Sequence, residues 1–342
     1  MELKKRYINK QKSIEYYVEN PPFPKIVKID ICDVCNYSCI FCPQAYQSGR
    51  IGLINDALCM KIIEESKKGG AEQLALSSTG EPLLNRKLEK YASFAKEIGY
   101  TYVFFNTNGF FLDKERGESI LKAGVDSVKI SINAGADNYY AIHGVDAYEK
   151  VIRNLRDFAL QKYLMKSNCK IYVSFISTKV TESEIQEVRN IVREYVDDFI
   201  YMKANNRGGL VSGFDTKLYG GEDIYSYHYP CSQIFNNVYV TAEGLMDACA
   251  QDFDKRLIMG DLNNESVIEA WNGKKFREFR RKYINGELAG TLCVDCLGLS
   301  RGKQYSDPKA WCYGYQADEE KKKSLDERIR LLVDKIDKSS TL

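Results

Sequence analysis

The stretch Ile26-Val27-Lys28-Ile29-Asp30-Ile31, followed at once by Cys35-x3-Cys39-x2-Cys42, decides how the chain is read. Alternating apolar, β-branched residues make a strand, and the three cysteines fall on the loop that leaves it. Runs of the same kind recur at Leu74–Ser77, Tyr102–Asn106, Ser127–Ile132, Ile171–Ser177 and Phe199–Lys203. Helical patterns lie between them, such as Asp56–Lys68, stopped by Gly69-Gly70, and Glu182–Tyr195, with Thr181 as its expected N-cap. This alternation is the signature of βα units around a parallel sheet. Six of them predict an α/β chain built on a partial (β/α)6 TIM barrel; periodicity alone leaves an open doubly wound sheet as the alternative. In a barrel the loop after a strand belongs to the C-terminal rim, where α/β barrels carry their chemistry, and the three thiols are expected there.

Working outward, residues 1–22 precede the first strand, 23–205 form the expected barrel, and the Gly-rich, polar 206–230 reads as a linker. Residues 231–316 are expected to form a smaller unit. In it, Val238-Tyr239-Val240 followed by Ala242-Glu243-Gly244 reads as a strand entering a tight hairpin turn. Ser266–Tyr283 reads as one amphipathic helix carrying Val267, Ile268, Trp271, Phe276 and Phe279. Residues 317–342 form a Lys/Glu-rich tail whose helix, Asp318–Lys338, keeps Leu325, Ile329, Leu332, Val333 and Ile336 on one docking stripe.

Composition narrows the function classes. Hydrophobic residues make up 44% and charged residues 28% of the 342, which is ordinary for a folded chain. With 49 basic and 47 acidic side chains there is no global field to draw phosphate backbones or anionic lipids, so neither nucleic acid nor membrane is an expected partner. The charged start, Met1-Glu2-Leu3-Lys4-Lys5-Arg6, leads into no apolar targeting segment, and a cytoplasmic location is expected. Cysteines in that compartment stay reduced, so the closely spaced ones among the eleven are expected to bind metal.

Cys35, Cys39 and Cys42 supply three ligands, one short of a complete four-iron cubane, and an iron without a protein ligand can bind a small molecule. Zinc would want four ligands, and His143 and His228 lie far off in the sequence; Cys32 is the residue whose spacing would complete four. Further on, Cys231, Gly244 and Cys249 are followed by Cys293-x2-Cys296, a four-thiolate set that suits structural zinc or a complete iron–sulfur cluster equally well. Cys59 and Cys169 read as core residues.

With Phe41 before its last cysteine, the first motif resembles the CxxxCxxC loop of the radical S-adenosylmethionine (SAM) superfamily. That resemblance implies a [4Fe–4S] cluster whose open iron chelates SAM and whose electron cleaves it to a 5′-deoxyadenosyl radical. Thr79-Gly80-Glu81-Pro82 after the second strand is similar to the family's GGEP motif, with Thr in place of the first Gly. Asn106-Thr107-Asn108-Gly109 is similar to its TNG turn. By the same resemblance Ser131, Asn133 and Ser177–Lys179 are further SAM or substrate contacts. Cys231-x12-Gly244-x4-Cys249 resembles the opening of the SPASM/twitch extension, as do Met259-Gly260-Asp261-Leu262 and Ala270-Trp271-Asn272-Gly273. This implies that Cys231, Cys249, Cys293 and Cys296 hold one auxiliary [4Fe–4S] cluster, since the family's longer cysteine run stops here after Cys296.

The chemistry so implied is hydrogen abstraction from a small polar molecule, a sugar or aminocyclitol, with the auxiliary cluster accepting the electron left behind. A flavodoxin- or ferredoxin-type donor would supply the reducing electron. Lys203 or Arg207, after the sixth strand, is the expected base. Cys312, in Trp311-Cys312-Tyr313, is the remaining cysteine of the extension and a candidate hydrogen donor, which would make the reaction an epimerisation. Maturation of a ribosomally made peptide is the other enzymatic alternative, and an iron–sulfur electron carrier the non-enzymatic one.

Overall fold

Period-two alternation sorts the side chains of each strand into two environments. The computed structural model describes residues 17–46, 50, 52–204, 206–211, 218, 231–297 and 324–339. Its first six strands are β1 (Ile26–Ile29), β2 (Gln73–Ala75), β3 (Tyr102–Thr107), β4 (Ser127–Ser131), β5 (Lys170–Ser177) and β6 (Asp198–Lys203). Each pairs parallel with the next. One set of alternate residues, among them Val27, Ile29, Leu74, Val103, Val128, Ile130 and Val173, is fully buried in the apolar core. The opposite set, including Lys28, Ala75, Asn106, Lys129, Tyr172, Ser174 and Met202, lines a single cavity of about 370 Å³. Six strands that share one cavity must curve around it, so the sheet is a partial barrel rather than an open layer.

The connecting helices are α1 (Asp56–Lys68), α2 (Leu88–Glu97), α3 (Lys114–Lys122), α4 (Tyr139–His143), α5 (Tyr148–Leu164) and α6 (Ile185–Val192). Asn55 caps α1, its side-chain oxygen accepting from the Leu58 N–H at 3.0 Å. The stretch expected as one helix from Glu182 is instead a 3-10 turn, Glu182–Glu184, leading into α6. Thr181 does not cap it, because its hydroxyl oxygen accepts from the Thr178 N–H at 3.1 Å.

Beyond the barrel come α7 (Gln233–Asn236), β7 (Asn237–Val240), β8 (Leu245–Asp247), β9 (Ile258–Asp261), α8 (Val267–Trp271), α9 (Lys274–Ile284) and α10 (Leu292–Cys296). The expected hairpin forms between β7 and β8. Its first strand also pairs in parallel with β1, from Ile26 opposite Asn237 to Ile29 opposite Val240. The nine strands thus make one sheet in the order β6-β5-β4-β3-β2-β1-β7-β8-β9.

The single helix expected over Ser266–Tyr283 breaks at Asn272-Gly273. In one straight helix Trp271 and Phe276, five residues apart, would point about 140° away from each other. The break lets both rings turn inward, 5.0 Å apart, while the Trp271 indole N–H donates to the Pro21 carbonyl at 3.2 Å. Arg280 stacks on both rings, 3.9 and 3.6 Å from their centroids. The tail helix α11 (Leu325–Ser339) buries Leu325 and Ile329 and ties itself to the barrel through Lys162 to Asp326, 2.6 Å, and Arg328 to the Val196 carbonyl, 2.8 Å.

Candidate functional site

The cysteine loop after β1 is held from two sides. The N–H groups of Ser38 and Ile40 donate to the carbonyls of His143 and Ile142, each at 3.0 Å, which docks the loop on the end of α4. On the other side, Gly80 approaches so closely that a Cβ there would lie 2.1 Å from the Cys32 carbonyl oxygen and 2.6 Å from that of Val34. Only glycine fits, and the next residue, Glu81, donates its N–H to the same Val34 carbonyl at 2.9 Å. So fixed, Cys35, Cys39 and Cys42 all line the barrel cavity. Burial pushes the Cys35 thiol up to about 12, and Cys39 well above its ordinary range, with Cys42 and Cys35 adding to the effect at Cys39. Cys32 does not complete the set: it is buried outside that lining, and its Sγ–H donates to the Val34 carbonyl at 3.4 Å.

Of the residues expected to meet SAM, Phe41, Gly80, Glu81, Asn106, Thr107, Asn108, Ser131 and Asn133 line the cavity. Thr79 and Pro82 do not. Thr79 turns to Asp30, which accepts from both its hydroxyl and its N–H, and Pro82 is buried at the start of a 3-10 turn. Ser177–Lys179 also lie outside the lining: the Ser177 hydroxyl donates to the Met202 carbonyl, Thr178 bonds to Thr181, and the Lys179 N–H donates to Leu218. Glu81 is less open than a free acid. Its Oε1 accepts from the Thr107 hydroxyl at 2.7 Å and the Leu83 N–H at 3.0 Å, and its Oε2 from the Asn108 N–H at 2.7 Å. Burial nevertheless raises its carboxyl to about 7, against the pull of these bonds. Oε2 keeps capacity for one more donor.

Lys203 and Arg207 line the same cavity. Arg207 donates to Gln251 Oε1 at 2.9 Å, and its guanidinium lies 5.8 Å from the centre of the Phe253 ring. As a base Arg207 is ruled out by chemistry, since guanidinium keeps its proton in proteins. Cys312 lies outside the described residues.

The second cysteine group also comes together. Burial raises Cys231 to about 12 and Cys293 to about 11, and the Cys249 thiol, pushed well up by burial, is raised further by Cys231, Cys296 and Cys293. The Tyr283 hydroxyl oxygen accepts from the Cys231 N–H at 2.6 Å. Ala250 and Gln251, directly after Cys249, line the barrel cavity, and Asn206 at the barrel rim donates to the Asp295 carbonyl at 2.9 Å. The segment that follows Cys249 therefore reaches the cavity that Cys35, Cys39 and Cys42 line.

Both donor sets fit iron–sulfur clusters. Each set is made of cysteine thiols, the side chains that hold iron–sulfur cubanes. Binding a cationic core displaces the thiol protons, which are released, and its positive charge offsets the burial that holds the free thiols protonated.

His143 is the residue that sequence spacing set aside. It lies 104 residues from Cys39, yet its Nδ1 is 3.1 Å from the Cys39 sulfur. No local pattern marks it; only the docking of the loop on α4 brings it there.

Comparison with known proteins agrees with this geometry. Residues 29–196 match the family described as the radical SAM superfamily, and residues 231–297 match SPASM, described as an iron–sulfur cluster-binding domain. The chain belongs to the radical SAM superfamily and carries a SPASM-type extension. Its cofactors are SAM and [4Fe–4S] clusters. An S-adenosyl-L-methionine-dependent 2-deoxy-scyllo-inosamine dehydrogenase of Niallia circulans is 22% identical over 284 residues, covering 80% of this chain and 93% of that one. A probable GTP 3′,8-cyclase of Saccharolobus solfataricus is 31% identical over 131 residues, and the chain spans only 42% of its length. Among solved structures, BtrN in complex with AdoMet and 2-DOIA superposes with a TM-score of 0.54 at 19% identity, covering 82% of this chain and 96% of that one. Streptococcus suis SuiB bound to precursor peptide SuiA gives 0.61 at 14% identity, covering 80% and 68%. These likenesses show a shared fold. Among the described residues no helix is long and apolar enough to cross a membrane.

Proposed function

We propose that the chain is a radical SAM oxidoreductase that removes two hydrogens from a small polar molecule, of the sugar or aminocyclitol kind. The observation that carries this reading is the single cavity bordered by Cys35, Cys39 and Cys42 on one side and by Ala250 and Gln251, next to Cys249, on the other. When bound, the groups held there supply a 5′-deoxyadenosyl radical that takes a hydrogen atom and an acceptor for the electron left behind.

The chain's own part is holding and orienting. Cys35, Cys39 and Cys42 would hold the SAM-binding cluster, and Cys231, Cys249, Cys293 and Cys296 would hold the auxiliary one. Gly80, Glu81, Asn106–Asn108, Ser131 and Asn133 form the SAM side of the cavity. Its inner wall carries Lys28, Lys129, Tyr172, Gln233 and Tyr239, and the Lys28 ammonium donates to the Tyr239 hydroxyl at 3.2 Å. Such a wall recognises hydroxyl and amino groups by hydrogen bonding and leaves few of its polar atoms satisfied by an apolar ligand. Lys203 stands at the rim as the base for the substrate hydroxyl, and Arg207 orients Gln251 between the two cysteine groups. The aminocyclitol named for the Niallia circulans relative, which the chain matches over most of both lengths, makes that class the first to try. The electron donor is of the flavodoxin or ferredoxin type.

The test is anaerobic turnover of reconstituted protein with SAM, reductant and a panel of sugars and aminocyclitols. A product two hydrogens lighter, formed in step with 5′-deoxyadenosine, is expected. Inversion at a carbon with no change of mass would replace the reading with epimerisation, and turnover confined to a peptide would replace it with maturation.

A further inference from the structure

We infer that His143 is a positioning residue for the SAM-binding cluster: as a neutral imidazole it donates its Nδ1–H to the Cys39 sulfur and so sets how readily that cluster accepts an electron. The inference rests on the reading above that Cys39 is a cluster ligand.

The tautomer follows from the hydrogen bonds. The Nε2 atom accepts from the backbone N–H of Asn133 at 3.3 Å. A ring nitrogen that accepts carries no proton, so in a neutral ring the proton is on Nδ1. That nitrogen is 3.1 Å from Cys39 Sγ, within reach of an N–H···S bond. The bond that Nε2 accepts leaves the ring with one proton and no charge, and the side chain is only 1% exposed. Tyr139, Tyr37 and Phe41 surround it, with ring centroids 4.3, 5.3 and 6.5 Å away. These rings are apolar at the faces they turn to the imidazole, and hold it in place by packing.

The placement does not depend on the side chain alone. The backbone carbonyls of Ile142 and His143 already accept from the cysteine loop at Ile40 and Ser38, so register between loop and helix is set before the ring bonds. Reduction adds negative charge to a cluster, and a fixed N–H dipole aimed at one of its sulfurs stabilises the reduced form more than the oxidised form. A hydrogen bond to a charged acceptor is strong enough to shift such an equilibrium about tenfold, which for one electron is about 59 mV.

The experiment uses full-length, anaerobically reconstituted protein and reads the electron paramagnetic resonance signal that moves when SAM is added, which belongs to the SAM-binding cluster. His143→Phe, which removes the donor, is expected to make that cluster about tenfold harder to reduce; His143→Asn, whose side-chain N–H can stand near the Nδ1 position, is expected to restore most of the loss. Unchanged potentials in both variants would overturn the inference. If the variants do not hold iron, wild-type protein grown with nitrogen-15 histidine gives the same answer, since the chain has two histidines in all. A weak nitrogen coupling to the reduced cluster is expected. No coupling, or one as large as that of a directly bound imidazole, would overturn the inference. Failure of the underlying reading is distinct: then Cys39→Ala would leave the SAM-responsive signal in place.

Discussion

Gly144, at φ +72°, stands so close to Ser38 that a Cβ at position 144 would lie 2.0 Å from the Ser38 hydroxyl oxygen. A side chain at this position would force the Ser38 hydroxyl to turn aside where the cysteine loop docks on α4. Gly144→Ala is therefore expected to lower stability by about 1–3 kcal/mol, through left-handed strain and the clash together. Adding Ser38→Ala removes the clash but not the strain, so denaturant midpoints should recover in part. Full recovery, or none, would contradict this account of the contact.

Replacing Cys35, Cys39 and Cys42 together with Ala is expected to abolish SAM cleavage and to take reconstituted protein from about eight irons to about four, one cubane in place of two. Iron analysis and assay of 5′-deoxyadenosine check it. Cleavage that survives would move the catalytic loop elsewhere.

Removing Cys231, Cys249, Cys293 and Cys296 is expected to halve the iron in the same way and to stop substrate oxidation. Some uncoupled SAM cleavage should remain, because the first three thiols lie in the barrel. Stoichiometric zinc in wild-type protein purified without air, with iron for one cluster only, would turn the second site into a structural one.

Glu81 gives the apo fold a pH dependence with a definite sign. Its carboxyl is raised from 4.5 to about 7 by burial, so between those values the folded chain holds a proton that the unfolded chain has released. Stability from this group is then fully present below pH 4.5 and is lost as pH rises through 7. Glu81→Gln cannot ionise, and it loses acceptor capacity toward Thr107 and Asn108. The wild type should exceed it most at low pH, with the gap narrowing toward pH 7; a gap that widens would show the carboxylate, not the acid, to be the favoured form.

The strands and the first three thiols are legible because their cues are local: period-two alternation over a few residues, and a cysteine spacing within one loop. The parallel pairing of β7 with β1 leaves no such cue, since both strands read as ordinary short apolar runs whichever neighbour they choose. The same holds for His143, whose meeting with Cys39 depends on where α4 ends. Thr79 shows the limit of a motif. It sits in the expected sequence position, yet Asp30, buried beneath it, claims both its donors. The break at Asn272-Gly273 is visible as a glycine in a helical pattern, but the reason for it, two large rings that must face the same core, is a tertiary one.

The ladder between β1 and β7 has a cost during synthesis. Residues 26–29 leave the ribosome some two hundred residues before 237–240. At about 5–20 residues per second, the outer edge of β1 stays unpaired for roughly 10–40 s. An exposed parallel edge of Val and Ile is a template for another chain to add to, and the strand's single lysine, Lys28, is its one charged guard. The cysteine loop hangs from the end of that same strand, so iron delivered before the last third of the chain has emerged meets a barrel whose first strand is still open on one side.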